Sequence, residues 1–191
     1  MIKISLLKFY LITFILSISF CSVGNTKNEF PLDPAITYGK LENGFTYYIR
    51  ENQTPKDKVS IKLIIKAGSI MEEENQLGLA HLLEHMAFNG SKNFPKRKID
   101  EYMSSIGLNI GSHYNASVGF LKTNYVYEIR TKNDKDVEIA LKILTDISKN
   151  LSFEPEAFER ERKIVEEEWR RDIGGTQDYV NELHKVLFKN S

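Results

Sequence analysis

Residues 76–88 read QLGLAHLLEHMAF, and the pattern of this segment organises everything around it. On a helix turning about 100° per residue, His81, Glu84 and His85 share one arc of about 100°, while Leu79, Ala80, Leu82, Leu83, Met86 and Ala87 fill the rest. A helix apolar almost all round is predicted to be buried. Burying two imidazoles and a carboxylate there is costly unless partners satisfy them, and a metal ion satisfies all three together. Residues i and i+4 are neighbours one turn apart, so the two histidines can meet one zinc at about 2.0–2.1 Å with Glu84 beside it. The competing reading makes them core histidines bonded to backbone, or makes Glu84 the ion-pair partner of an imidazolium. The chain has only 4 His, so random placement rarely pairs two of them one turn apart with an acid between, and the metal reading is preferred.

Two histidines and a water leave tetrahedral zinc one ligand short. The acidic segment 155–172, PEAFERERKIVEEEWRRD, offers carboxylates at helical spacing. Its apolar arc runs from Ile164 and Ala157 through Val165 and Phe158 to Trp169, with Glu161 and Glu168 inside it and Glu156, Glu159, Glu166 and Glu167 outside. A carboxylate inside a packed stripe needs a counter-charge. Glu168 is therefore the expected third ligand, with Glu161 supporting it two turns earlier on the same face. The alternative pairs Glu161 with Arg162 or Arg171 on a charged surface.

Strand signals flank these helices. Asn43-Gly44 before FTYYIR reads as a hairpin turn feeding a strand. Val59, Ile61, Leu63 and Ile65 alternate with their neighbours in a second strand that stops at Ala67-Gly68-Ser69. Extended structure is expected between residues 108 and 118 and again over 124–130. Ile99, Tyr102, Met103 and Ile106 mark one amphipathic helix, and Val137, Ala140, Leu141 and Leu144 another. Paired strands with helices set between them predict an α+β fold, a mostly antiparallel sheet packed against helices as a two-layer sandwich.

The 191 residues are 41% hydrophobic and 27% charged, which excludes a disordered or collagen-like chain. Lys plus Arg equals Asp plus Glu at 26 each, so no basic field favours nucleic acid. Cys21 is the single cysteine; it forms no internal disulfide, and any metal must rest on His and carboxylates. Residues 1–24 read as an export signal, with Lys3 and Lys8 before a short apolar run. Cys21, directly after that run, is the candidate lipid attachment point and the only expected link to a membrane. Residues 25–34 form a linker and 35–191 the folded domain. Its end, VNELHKVLFKNS, keeps a helical pattern without a stop signal and is expected to be a cut inside the domain. His184 on that pattern is read as a solvated or interface residue, and His113 is assigned no role.

HLLEH is the inverted zinc motif H-x-x-E-H. With LENGFTYYI, AGSIMEE, GLAHLLEHMAFNGSKNFP, the NA of GSHYNAS and ERKIVEEEW, it resembles the pitrilysin and insulinase family of zinc metallopeptidases across most of residues 32–171. The resemblance implies one zinc per chain on His81, His85 and Glu168, with Glu84 as general base and Glu161 in support. It implies further that Asn115 and Ala116 lie on an edge strand that adds an extended peptide substrate, and that Phe88 lines a subsite. Family members build a chamber from two such halves, so the chain is expected to be one half of a pitrilysin-type clamshell whose partner is a second homologous half or subunit. The expected activity is zinc-dependent endopeptidase, exported to a bacterial periplasm or envelope. The alternative is a non-catalytic half-chamber that binds peptides or a partner, or an envelope domain tethered through Cys21.

Overall fold

The computed structural model describes residues 31–130, 134–172 and 176–187; the signal segment, Cys21 and most of the linker lie outside them. The chain divides into two compact units at residues 53 and 54. In the first, strands β1 (Ile36–Lys40) and β2 (Thr46–Arg50) form an antiparallel hairpin with Tyr38 opposite Tyr48. Of the Asn43-Gly44 pair, only Gly44 takes a positive φ, +87°. Asn43 instead turns its Oδ1 to accept the Phe45 N–H at 3.0 Å, the local bond that makes asparagine a turn residue.

The second unit holds strands β3 (Lys58–Ile65), β4 (Tyr114–Val118) and β5 (Thr123–Arg130) in the order β3-β5-β4, all antiparallel. Central β5 buries Thr123, Tyr125, Tyr127 and Ile129 at alternate positions, so one face of the sheet supplies the core. Helices α2 (Lys98–Ser105) and α3 (Asp134–Lys149) close that face with Ile99, Met103, Ala140, Ile143, Leu144 and Ile147. The expected mix of helices and antiparallel sheet is what forms. Gly68, just after β3, lets the chain touch the β4–β5 turn: a Cβ there would stand 2.1 Å from the Gly119 carbonyl oxygen, to which Ser69 donates its N–H at 3.1 Å.

The extended structure expected between residues 108 and 118 forms at Tyr114–Val118, after Gly107 and Gly111 adopt φ near +80° and turn the chain. Two expectations are corrected. The buried stripe of α3 begins at Ala140 rather than Val137, which leaves Leu141 51% exposed; the period is right and the face is rotated. Helix α1 (Leu79–Met86) buries Leu82, Glu84 and Met86 but leaves Leu79 and Leu83 more than 40% exposed. Two turns of helix packed on one side cannot bury their opposite side. Helix α4 (Pro155–Asp172) lies against α1, which also meets β4, and α5 (Thr176–Leu187) follows. Among the described residues no helix is long and apolar enough to cross a membrane.

Candidate metal centre

Helix α1 carries the first donors, and its start is fixed from outside. Gly78 precedes it at φ +90° with no side chain to cap the free N–H groups. Glu72 fills that role: its two carboxylate oxygens accept the Gly78 and Ala80 N–H groups at 2.9 and 2.7 Å, an anion at the positive end of the helix. Along α4, Glu161 and Glu168 sit seven residues and about two turns apart on one face. Glu161 is the one buried residue of α4, whereas Trp169 and Ile164, expected at its apolar arc, are 66% and 38% exposed. The packing partner of α4 is thus the polar face of α1 rather than an apolar wall.

Three atoms converge between the helices. His81 Nε2 and His85 Nε2 are 3.2 Å apart, and Glu168 Oε2 stands 3.5 Å from the first and 3.4 Å from the second. Donors at about 2.0–2.1 Å around a tetrahedral zinc stand about 3.3–3.4 Å from one another, so the triangle matches that requirement with ligand angles of about 100–115°. Glu84 is different. Its Oε2 lies 4.0 and 3.9 Å from the two Nε2 atoms, distances that would force angles near about 145° if it were a ligand at the same reach. It stands beside the three-atom centre, and His81, Glu84 and His85 alone also form a compact group of donors.

Protonation supports the same arrangement. His85 Nδ1 faces Glu161 Oε2 at 3.2 Å; a proton there is donated to the carboxylate and leaves Nε2 a free lone pair. Burial, aided by the adjacent His85, pushes His81 below the usual histidine value, which favours its neutral imidazole. With both Nε2 atoms unprotonated, two lone pairs and a carboxylate oxygen point at one spot, an arrangement that calls for a cation. Burial raises the Glu84 carboxyl above its ordinary value; the neighbouring His85 opposes this and Glu168 adds to it. A carboxylate so tuned is a better proton acceptor near neutrality. The pairing of Glu161 with Arg162 or Arg171 does not occur: Arg162 bonds Glu159 and Glu166, and Arg171 approaches Glu168 at 3.9 Å.

A cavity of about 580 Å³ opens beside Glu84 and His85 and is lined in part by Phe88, Asn115 and Ala116. Asn115 and Ala116 lie on β4, an outer strand of the three-stranded sheet. His113 stays outside, its Nδ1 accepting the Asn109 N–H at 3.2 Å, and His184 meets Phe120 edge to face at 5.0 Å between ring centres. The sequence reading passed over Glu72, Asn89 and Arg160. Asn89 donates to the His85 carbonyl at 3.1 Å and accepts from Arg160. The one available signal was the position of Arg160 next to a buried acid.

Residues 47–190 match the family model described as Insulinase, peptidase family M16. The chain belongs to the insulinase peptidase family. Within that family it is 40% identical over 146 residues to the probable zinc protease PqqL of Haemophilus influenzae, covering 76% of this chain and 16% of that protein. The crystal structure of the first half of the periplasmic protease PqqL from Escherichia coli superposes with a TM-score of 0.80 at 34% identity, covering 84% of this chain and 34% of that one. Against the crystal structure of the periplasmic protease PqqL from the same organism the TM-score is 0.79 at 34% identity, with 84% of this chain and 18% of that one covered. The fold thus matches part of the first half of an insulinase-family clamshell, and the chain spans about a sixth of the length of the two bacterial PqqL relatives.

Proposed function

We propose that this chain is the zinc-holding portion of an exported metalloendopeptidase, with His81, His85 and Glu168 as ligands and Glu84 as general base. The observation that carries the reading is the triangle of acceptor atoms with sides of 3.2, 3.4 and 3.5 Å, closed by residues from two helices. Bound there, zinc would supply Lewis acidity, making water acidic near neutral pH and polarising a peptide carbonyl. The chain's own groups do the rest. Glu84 takes a proton on its carboxylate and returns it to the departing amine nitrogen. Glu161 holds the His85 Nδ1 proton and so keeps Nε2 turned to the centre. The free edge of β4 at Asn115 and Ala116 pairs with an extended peptide by strand addition, and Phe88 contacts a substrate side chain in the adjoining cavity.

Residues 1–24 direct export, Cys21 is a candidate lipid site, and residues 25–34 link to the domain. The periplasmic PqqL relative supports that destination. A second homologous half is the proposed partner, since the chain matches the first half of the PqqL protease. The same match favours a second reading, a subunit that binds peptide and turns it over only with its partner half. Metal content by mass spectrometry on the purified chain, with His81→Ala and Glu168→Ala alongside, tests the centre. Near-stoichiometric zinc in the parent, reduced in both variants, is expected; no zinc in a folded, zinc-supplemented parent refutes it. Cleavage of an internally quenched peptide by the parent, abolished in Glu84→Gln, distinguishes an enzyme from a binding module.

A further inference from the structure

Three side chains outside the ligand set tie the two helices together, and their geometry is directional. The Glu161 carboxylate is held from both sides: Oε2 faces His85 Nδ1 at 3.2 Å, and Oε1 accepts from Arg160 Nε at 3.3 Å. The same guanidinium extends Nη2 to Asn89 Oδ1, and Asn89 Nδ2 donates to the His85 backbone carbonyl at 3.1 Å. One planar fork on α4 therefore grips His85 twice, once through the carboxylate on its ring and once through the amide on its main chain. Arginine suits this because its donors are rigidly spaced; an ammonium group is a single point charge.

We infer that Arg160 and Asn89 are positioning residues that lock the rotation of α4 against α1, so that Glu161 fixes the His85 ring while Glu168 reaches the two Nε2 atoms. The inference rests on the metal-centre reading for its consequence. Arg160 precedes Glu161 by one residue and Glu168 follows two turns later, so a small roll of α4 would move both carboxylates together. Neither residue touches the converging atoms. Arg160 is 53% exposed and Asn89 is half-buried, so substituting them leaves the packed core intact.

The test uses the full chain. Zinc dissociation constants are measured by competition with a chromophoric chelator for the parent, Arg160→Lys, Arg160→Gln, Asn89→Ala and the double variant Arg160→Gln/Asn89→Ala, and cobalt(II) spectra are recorded on each. Loss of an outer-shell partner typically weakens binding about 10- to 100-fold. That loss is expected in each single variant, with altered cobalt bands. Arg160→Lys should fail to restore the parent value because one ammonium cannot span both oxygens. The double variant should be no more than about threefold weaker than either single one, since both break the same link. Zinc binding within about threefold of the parent with unchanged cobalt bands, or fully additive losses, overturns the inference while leaving the metal centre standing. If the folded parent binds neither metal, the metal-centre reading falls. The lock is then decided on the metal-free chain by ¹⁵N-histidine spectra: a His85 ring protonated on Nδ1 in the parent but mixed in Arg160→Gln supports it, and identical spectra refute it.

Discussion

Replacing Glu168 by alanine separates a metal ligand from a charged surface residue. Its Oε2 is almost equally distant from His81 Nε2 and His85 Nε2, at 3.5 and 3.4 Å, and Glu84 stands too far from both nitrogens to replace it. A four-ligand structural zinc site is worth about 10–16 kcal/mol, or about 2.5–4 kcal/mol per ligand, which predicts a loss of roughly 10²- to 10³-fold in zinc affinity. The metal-free protein should respond differently. Glu168 is one of the causes that raise the Glu84 carboxyl, so removing it relieves a repulsion and the unfolding midpoint without metal should hold or rise. Chelator competition and thermal unfolding with and without zinc measure the two effects. A folded variant that keeps zinc affinity within about threefold of the parent, or one that loses metal-free stability instead, refutes the assignment of Glu168.

Glu84→Gln should raise the metal-free unfolding midpoint at pH 7.5. The folded carboxyl titrates above its usual 4.5, so the folded state binds more protons than the unfolded one and stability falls as pH rises through that range. The gain from glutamine should fade as the pH approaches 4.5, and a gain that is independent of pH would contradict the cause. His81 has the opposite sign: its folded value lies below the usual 6.5, so its contribution is full above that value and lost on acidification through it, which a His81→Gln comparison across pH 5–8 checks. Asp146, 1% exposed, accepts from Ser91 Oγ, Asn93 N, Asn93 Nδ2 and Asn150 Nδ2 at 2.7–2.9 Å. Burial pushes its carboxyl up, but these bonds outweigh it and hold it below the ordinary value. Asp146→Ala should cost about 3 kcal/mol in urea unfolding at pH 7, an effect that shrinks as pH falls through the folded value; a cost under about 1 kcal/mol counts against this account. Tyr127→Phe should be neutral or stabilising by up to about 1 kcal/mol, because the buried Tyr127 hydroxyl has no hydrogen-bond partner among the described residues; a loss of about 1 kcal/mol or more would contradict this.

The histidine pair was legible because i, i+4 spacing is local: whatever α1 packs against, His81 and His85 share a side. Glu168 was legible from a buried-stripe argument, yet part of its premise failed, since Trp169 and Ile164 are exposed. Glu161 and Glu168 nevertheless reach the histidines together, because they share a face with each other, whatever else lies on it. Exposed Leu79, Leu83 and Leu141 show the limit of periodicity, which gives the repeat but not which flank of it meets the sheet. The bonds of Arg160 and Asn89 were illegible for a different reason. The bond that links them joins residues 71 apart in sequence, and only the docking of α4 on α1 makes them neighbours.

That docking also brings His85 and Glu168, about 80 residues apart along the chain, to within 3.4 Å. A cation gripping both would act as a clasp on a long loop, and a cross-link closing a loop of that length removes about 4.5 kcal/mol of conformational freedom from the unfolded chain in the chain-entropy view. Loss of metal and loss of fold would then be one coupled equilibrium, with the unfolding temperature rising with free zinc by mass action. The zinc level of the surrounding compartment would set how long the folded form survives as well as whether it is armed.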